Sequence, residues 1–196
     1  MQGLADGYFI LPYTIADYLG RRPPGQGTTN HPAFAEARAE VLARTARLLA
    51  IRGTKTVDEF HRELGTLMWD RCGMSRSEAG LTSALERLPS LREEFWRDAH
   101  VVGGHEEFNQ ALERAGRVAD LLELAELICQ DALERRESCG GHFRVECQTP
   151  DGEARRDDAA HCVVSAWEFT GVGKPPALHK EPLAFDHVQL TQRSYK

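Results

Sequence analysis

Apolar residues recur along most of this chain at three- and four-residue steps, the period of a helix with one buried face, and shift to alternate positions only after residue 141. The longest such run lies in 106–144. There Phe108, Ala111, Leu112, Ala115, Val118, Ala119, Leu122, Ala125, Cys129, Ala132 and Leu133 keep the helical step and predict one long amphipathic helix. Glu106, Glu107 and Glu113 lean toward its start and Arg135 and Arg136 toward its end, complementing the helix dipole. Gly140 and Gly141 read as its stop, because glycine supplies a left-handed turn without steric cost.

Earlier in the chain, Leu4, Tyr8, Leu11, Ile15 and Leu19 share one helix face, yet no Ser, Thr, Asp or Asn precedes them as a cap. The chain reads as beginning inside an element, with a kink or a second start at Pro12. Arg21 to Pro32 is a loop by its Pro, Gly and Thr content. A stripe of Phe34, Ala37, Val41, Leu42, Ala46 and Leu49 predicts the next helix, which breaks at Gly53. Thr56-Val57-Asp58-Glu59 has capping-box spacing, and Phe60, Leu64, Leu67 and Met68 continue from it toward Trp69 and a stop at Cys72-Gly73-Met74. Ser75 or Ser77 can cap a further helix through Leu81, Leu85 and Leu88, with an interruption expected at Pro89 before Leu91, Phe95 and Trp96 resume the face.

Beyond 141 the period becomes two. Phe143 to Cys147 alternates, as do Val163, Ser165, Trp167 and Phe169, with Thr149-Pro150-Asp151-Gly152 as turn chemistry between them. Leu178 to Leu190 holds further strand candidates, and Pro182 confines its segment to an edge or an irregular path. The fold class is therefore mainly α: a helix over 1–20, a loop over 21–32, an antiparallel helical bundle over 33–140 and a β-hairpin or irregular tail over 141–196.

A length of 196 residues suffices for one compact domain or a helical unit with a small β appendage. The net charge of −6, with basic residues scattered among acids, argues against nucleic-acid binding. No run approaches the roughly 18 apolar residues of a membrane span, and the first residues lack a signal-peptide pattern, so a cytosolic protein is expected, at a membrane only through partners. The five cysteines contain no C-x-x-C pair, which suggests free thiols and neither disulfides nor zinc.

Candidate chemistry is sparse. The eight histidines form no metal-binding pair, so no metal is assigned. Gly103-Gly104 and Gly140-Gly141 lack the strand-to-helix setting of a phosphate loop. Asp157 and Asp158 beside Arg156 read as a solvated turn, and Cys139 near His142 as a structural cysteine rather than an activated thiol. On residue chemistry alone no reaction is named and no catalytic residue is assigned.

The segments MQGLADGYFILPYTIADYL, LMWDRCGMSRSEAGL, GRVADLLELAELICQDAL, ESCGGHFRVE, RRDDAAH and the terminal QRSYK resemble, in order, the C-terminal portion of succinate dehydrogenase and fumarate reductase flavoprotein subunits. Cys139 stands where many members have arginine. The resemblance implies that residues 1–20 are the last helix of a flavin-binding domain, followed by the helical domain. The dinucleotide fold, the covalent FAD attachment and the substrate arginines and histidines would all lie upstream, making Met1 an internal methionine of a longer ancestor. It further implies no cofactor in this chain and FAD in the full-length subunit. The implied partners are the missing flavin-binding portion, an iron–sulfur subunit and, indirectly, membrane anchors at the inner face of the cytoplasmic membrane. Ser138, Gly140, His142 and Arg144 match the ESxGxH-x-R segment and become a candidate contact near the flavin domain, against a plain structural turn. The expected function is a piece of a succinate–fumarate oxidoreductase, inactive alone; the alternative is a stand-alone helical module binding an iron–sulfur or assembly partner. The fragment reading expects Leu4, Tyr8, Phe9, Leu11 and Tyr13 to be uncovered, and the module reading expects a closed or polar surface there.

Overall fold

The computed structural model describes residues 2–22, 25, 28–171 and 173–191. Met1, part of the expected loop and the QRSYK block lie outside the described residues. The chain is mainly helical and divides into two units, Met1–Arg44 and Thr45–Lys196.

The first unit begins with α1 (Gln2–Ala5), a widened π-helical turn (Asp6–Ile10) and α2 (Leu11–Gly20), which run on as one helical stretch. Pro12 is inside the first turn of α2. The π turn ahead of it accommodates a ring that cannot donate to the preceding turn and would clash with it. The predicted apolar face forms but is not covered: Leu4, Tyr8, Leu11, Ile15 and Leu19 are all more than half exposed. Helix α3 (Pro32–Ala50) repeats this, since Phe34, Val41 and Leu42 are exposed and only Leu48, in its final turns, is buried.

In the second unit the chain enters α4 (Val57–Cys72) through a two-residue strand β1 (Lys55–Thr56). The capping box is present: the Thr56 hydroxyl accepts from the Glu59 amide, and the Glu59 carboxylate accepts from the Thr56 amide at 2.7 Å. Gly73 closes α4, and Ser77 caps α5 (Glu78–Asp98) by accepting from the Gly80 amide at 3.0 Å. Pro89 lies inside α5 without breaking it, contrary to the expected interruption. Leu81, Ala84, Leu88, Leu91 and Phe95 are all buried along this one helix, and that burial outweighs the roughly 3 kcal/mol that an interior proline costs.

Strand β2 (Ala99–His100) follows α5 and pairs with β1, placing the end of α5 beside the start of α4. Helix α6 (Gln110–Glu134) then returns: Arg114 faces Asp58 near the start of α4, and Cys129 meets Met68 near its end. The helices thus alternate in direction. Their core is built from Phe60, Leu64, Leu88, Phe95, Val118 and Leu122, with Phe60 and Phe95 edge to face at 5.4 Å. Ala115, Ala119, Ala125 and Ala132 on α6 let its backbone approach the other two closely.

The long helix is shorter than its pattern suggested. Asn109 fixes the start by accepting from the Leu112 amide while its side-chain amide donates to the carbonyls of Val102 and Gly104. Glu106 and Glu107 therefore precede the helix, and Phe108 is 92% exposed. The end falls at Glu134, with Arg135 already extended, so Gly140 and Gly141 do not stop the helix but form a separate turn beyond it.

The tail contains α7 (Asp158–His161) and a hairpin of β3 (Val163–Glu168) with β4 (Ala177–Pro182), registered so that Pro182 pairs terminally with Val163. Residues 143–147 form no strand; their contribution is a single bridge between Arg144 and Arg76. Burial does not follow the alternation: Arg144 and Cys147 are inward, whereas Val145 and Glu146 are exposed. The Thr149–Gly152 turn does form, but it connects Gln148 to Ala154. Among the described residues, no helix is long and apolar enough to cross a membrane.

Candidate functional site

The four residues singled out by the ESxGxH-x-R segment come together immediately after α6. Once Arg135 leaves the helix, the chain reverses at Cys139–His142, whose backbones exchange hydrogen bonds of 2.8 and 3.0 Å. Gly140 sits at φ 58, a conformation that glycine adopts without penalty, and both glycines are exposed at the tip. Ser138 is fully buried and bridges the turn: its hydroxyl accepts from the Arg144 amide at 2.8 Å and donates to the Arg144 carbonyl at 3.2 Å.

Arg144 is 2% exposed, a burial that arginine tolerates only with partners. Its Nη1 donates to the carbonyls of Ala132 at 3.0 Å and Leu133 at 3.3 Å, the orphan acceptors in the last turn of α6, and its Nε donates to Glu146 at 3.2 Å. Glu146 in turn accepts from the Glu78 amide at the N-terminus of α5, at 2.7 Å. Burial opposes ionisation of Glu146, but the Glu78 amide and the Arg144 guanidinium outweigh it and hold its carboxyl below the usual range.

His142 is engaged at both ring nitrogens. Nε2 meets the Arg135 carbonyl at 2.8 Å and so carries the proton, leaving Nδ1 to accept from Arg76 Nη1 at 2.7 Å. Burial pushes its pKa down, and the Arg76, Arg135 and Arg144 guanidiniums add to the effect against the opposing bond to the Arg135 carbonyl. The ring is held neutral. Arg76 also donates through Nε to the carbonyls of Cys72 and Gly73, closing the C-terminus of α4, and its backbone pairs with Phe143 and Val145.

Glu137 completes the cluster. It is 2% exposed, pairs with Arg135 at 2.7 Å and accepts from the Asp157 amide at 2.8 Å, joining the Arg-Asp-Asp turn to this segment. Within that turn Asp157 caps α7 while Arg156 pairs with Asp158, so the two carboxylates serve different partners and are exposed.

The pattern of the sequence did not reveal Arg76, Glu137 or Glu146. Arg76 and His142 are 66 residues apart, and no local period connects them. Their only trace was that each falls inside one of the blocks carrying the family likeness. Chemically, the cluster satisfies the ends of three helices, and its charged groups are committed to one another, to His142 or to helix-end backbone. Among the described residues, no buried side-chain nitrogen or oxygen lacks a partner. Gly103-Gly104 lies between β2 and α6, but the Asn109 side chain that caps α6 fills the space beside it, and Gly140-Gly141 follows a helix rather than a strand.

A family model for the fumarate reductase flavoprotein C-terminus matches residues 61–195. The chain belongs to that family. It is 25% identical over 186 residues to the fumarate reductase flavoprotein subunit of Haemophilus influenzae, covering 95% of this chain and 30% of that subunit. An L-aspartate oxidase of Synechocystis is 25% identical over 144 residues, covering 67% of this chain and 25% of its own length. Among solved structures, the Mycobacterium smegmatis Sdh1 complex in the apo form superposes with a TM-score of 0.64 at 27% identity, covering 85% of this chain and 26% of that one. Escherichia coli quinol fumarate reductase FrdA shares the fold, with a TM-score of 0.70 at 23% identity over 85% of this chain and 27% of that one. The chain thus spans less than a third of the length of these relatives.

Proposed function

We propose that this chain is the C-terminal helical portion of a succinate dehydrogenase or fumarate reductase flavoprotein subunit and acts in succinate–fumarate interconversion only when joined to a flavin-binding portion. The observation that carries this reading is the exposure of the apolar side chains from α1 through the π turn into α2. Tyr8, Phe9 and Tyr13 are 70–74% exposed, and Leu4 and Leu11 60% and 53%. Exposed apolar and aromatic side chains in this number support a reading in which a partner covers them. In this reading residues 1–20 are the last helix of the flavin domain, and that domain is what covers them. FAD and the groups that bind dicarboxylate belong to the portion represented by the remaining length of the relatives.

The assembled subunit would meet an iron–sulfur subunit and sit at the inner face of the cytoplasmic membrane through anchor subunits. The exposed Gly140–Gly141 tip, held in shape by Ser138, His142 and Arg144, is the proposed contact toward the flavin domain. A self-sufficient interaction module is not favoured, because it requires a closed or polar surface where these aromatics lie.

The test is reconstitution. The purified chain is expected to show no flavin absorbance and no succinate-dependent dye reduction. Mixed with a separately expressed N-terminal flavin-binding portion of a relative, it is expected to form a complex that reduces the dye. Flavin absorbance and turnover from the chain alone would overturn the proposal, as would failure to bind the flavin-binding portion.

A further inference from the structure

The turn after α6 hangs on a side chain that can change its charge. His142 joins three pieces of chain: Arg76 beyond the end of α4 reaches its Nδ1 at 2.7 Å, the carbonyl of Arg135 beyond the end of α6 meets its Nε2 at 2.8 Å, and its own backbone closes the turn on Cys139. The turn has no other support at its tip. Gly140 and Gly141 are exposed, and, chain neighbours aside, no heavy atom lies within 4 Å of where a β-carbon would stand on either. Beneath the turn is a separate frame, in which the buried Ser138 hydroxyl bonds the Arg144 backbone and the Arg144 guanidinium holds the Ala132 carbonyl.

Neutral imidazole has one donor and one acceptor, and both are in use here. A second proton can enter only at Nδ1, where it meets a guanidinium, which carries donors and no acceptor. The bond to Arg76 then becomes a contact between two donors and two positive charges. The carboxylates around it are committed elsewhere: Glu137 to Arg135, Glu146 to Arg144 and the Glu78 amide at the start of α5, Asp157 to the cap of α7 and Asp158 to Arg156. The other groups acting on the ring, Arg135 and Arg144, are cations as well. By contrast, the frame of Ser138 and Arg144 holds no group that titrates near neutrality, since a hydroxyl and a guanidinium keep their protons. A role in shape alone needs no histidine, because an asparagine offers a donor and an acceptor at every pH.

We propose that His142 is a proton-operated latch: uptake of a solvent proton at Nδ1 breaks the tie to Arg76 and frees the Cys139–His142 turn, while Ser138 and Arg144 keep the frame beneath it in place. The latched ring has a pKa below the ordinary 6.5, and the freed ring regains it. The latch is therefore fully closed above pH 6.5, and the ratio of freed to latched turn rises about tenfold per pH unit as pH falls from there toward the latched pKa. Where the tip meets a flavin-binding portion, as proposed above, docking weakens on acidification; the latch itself does not rest on that reading, because this chain alone tests it.

The test is a nuclear magnetic resonance titration of the full chain from about pH 8 to about pH 5. Imidazole nitrogen shifts should show the proton on Nε2 at the upper end and a His142 midpoint below 6.5. As that midpoint is crossed, the backbone order parameters of Gly140 and Gly141 should fall from the rigid value of about 0.85 to below about 0.6, while those of Ser138 and Arg144 stay rigid. His142→Asn should keep both glycines rigid throughout. Arg76→Met should leave them mobile at both ends of the range, and the parent and His142→Asn decide the matter even if the Arg76 variant unfolds. The proposal is overturned if the glycines stay rigid after His142 has titrated, if the proton sits on Nδ1 at the upper end, or if the amides of α4 and α6 loosen together with the turn.

Discussion

Arg144 illustrates how much one buried side chain can organise. Its guanidinium serves two end carbonyls of α6 and, through Glu146, the first amide of α5. Arg144→Met should therefore cost about 2–4 kcal/mol in urea denaturation, because it strands buried acceptors rather than removing a surface charge. Arg144→Lys should recover only part of this, since an ammonium has no planar fork to span the carbonyls and the carboxylate. His142 gives a pH signature. Its folded pKa is depressed below the ordinary 6.5, so the unfolded chain takes up a proton that the native protein refuses. The His142 contribution is thus complete above pH 6.5 and is lost as pH falls through that value toward the lower folded pKa. Replacing it with Asn, which keeps a neutral donor and acceptor, should flatten this limb of the stability–pH curve. A curve as steep as the parent's would show that the depressed histidine is not its source.

At the scale of elements, local chemistry set the helix starts. The Thr56 capping box was legible because all its groups lie within four residues, and Thr56→Ala should cost about 1 kcal/mol by thermal or urea melting. The start of α6 was harder to read, since Asn109 binds the carbonyls of Val102 and Gly104 in a loop that carries no period. Pro89 departs from the local rule for a related reason. A proline signals a break only if the flanking residues can afford one, and the buried Leu88 and Leu91 keep α5 continuous through it. Pro89→Ala should then raise stability by about 1–3 kcal/mol, checked by the urea midpoint at unchanged slope. Loss of stability instead would mean that the ring fills space that alanine leaves empty.

Across the whole molecule, the contrast lies between the dense α4–α6 core and the uncovered face of α1 and α2. A chain presenting Tyr8, Phe9 and Tyr13 to water should bind a hydrophobic dye and self-associate as concentration rises. The double substitution of Tyr8 and Phe9 by serine should lower dye fluorescence and shift sedimentation toward monomer, with the α4–α6 melting transition unchanged. If dye binding persists, the sticky surface lies elsewhere, for example at the exposed Leu121, Leu124 and Leu127 on the outer face of α6.

The sequence by itself determined what is short-range or periodic: the helical class, the α4 and α5 caps, the core face of α6 and, through several spaced blocks, the family. The tertiary structure decided what depends on distant partners. It brought Arg76 to His142, turned Arg144 inward where an alternating pattern suggested a strand, and paired β3 with β4. Helical periodicity records that a face is apolar, because side-chain spacing along the backbone is fixed by geometry. Whether that face is buried, and which polar groups close the helix ends, depends on segments far away in the chain, and no local pattern carries that information.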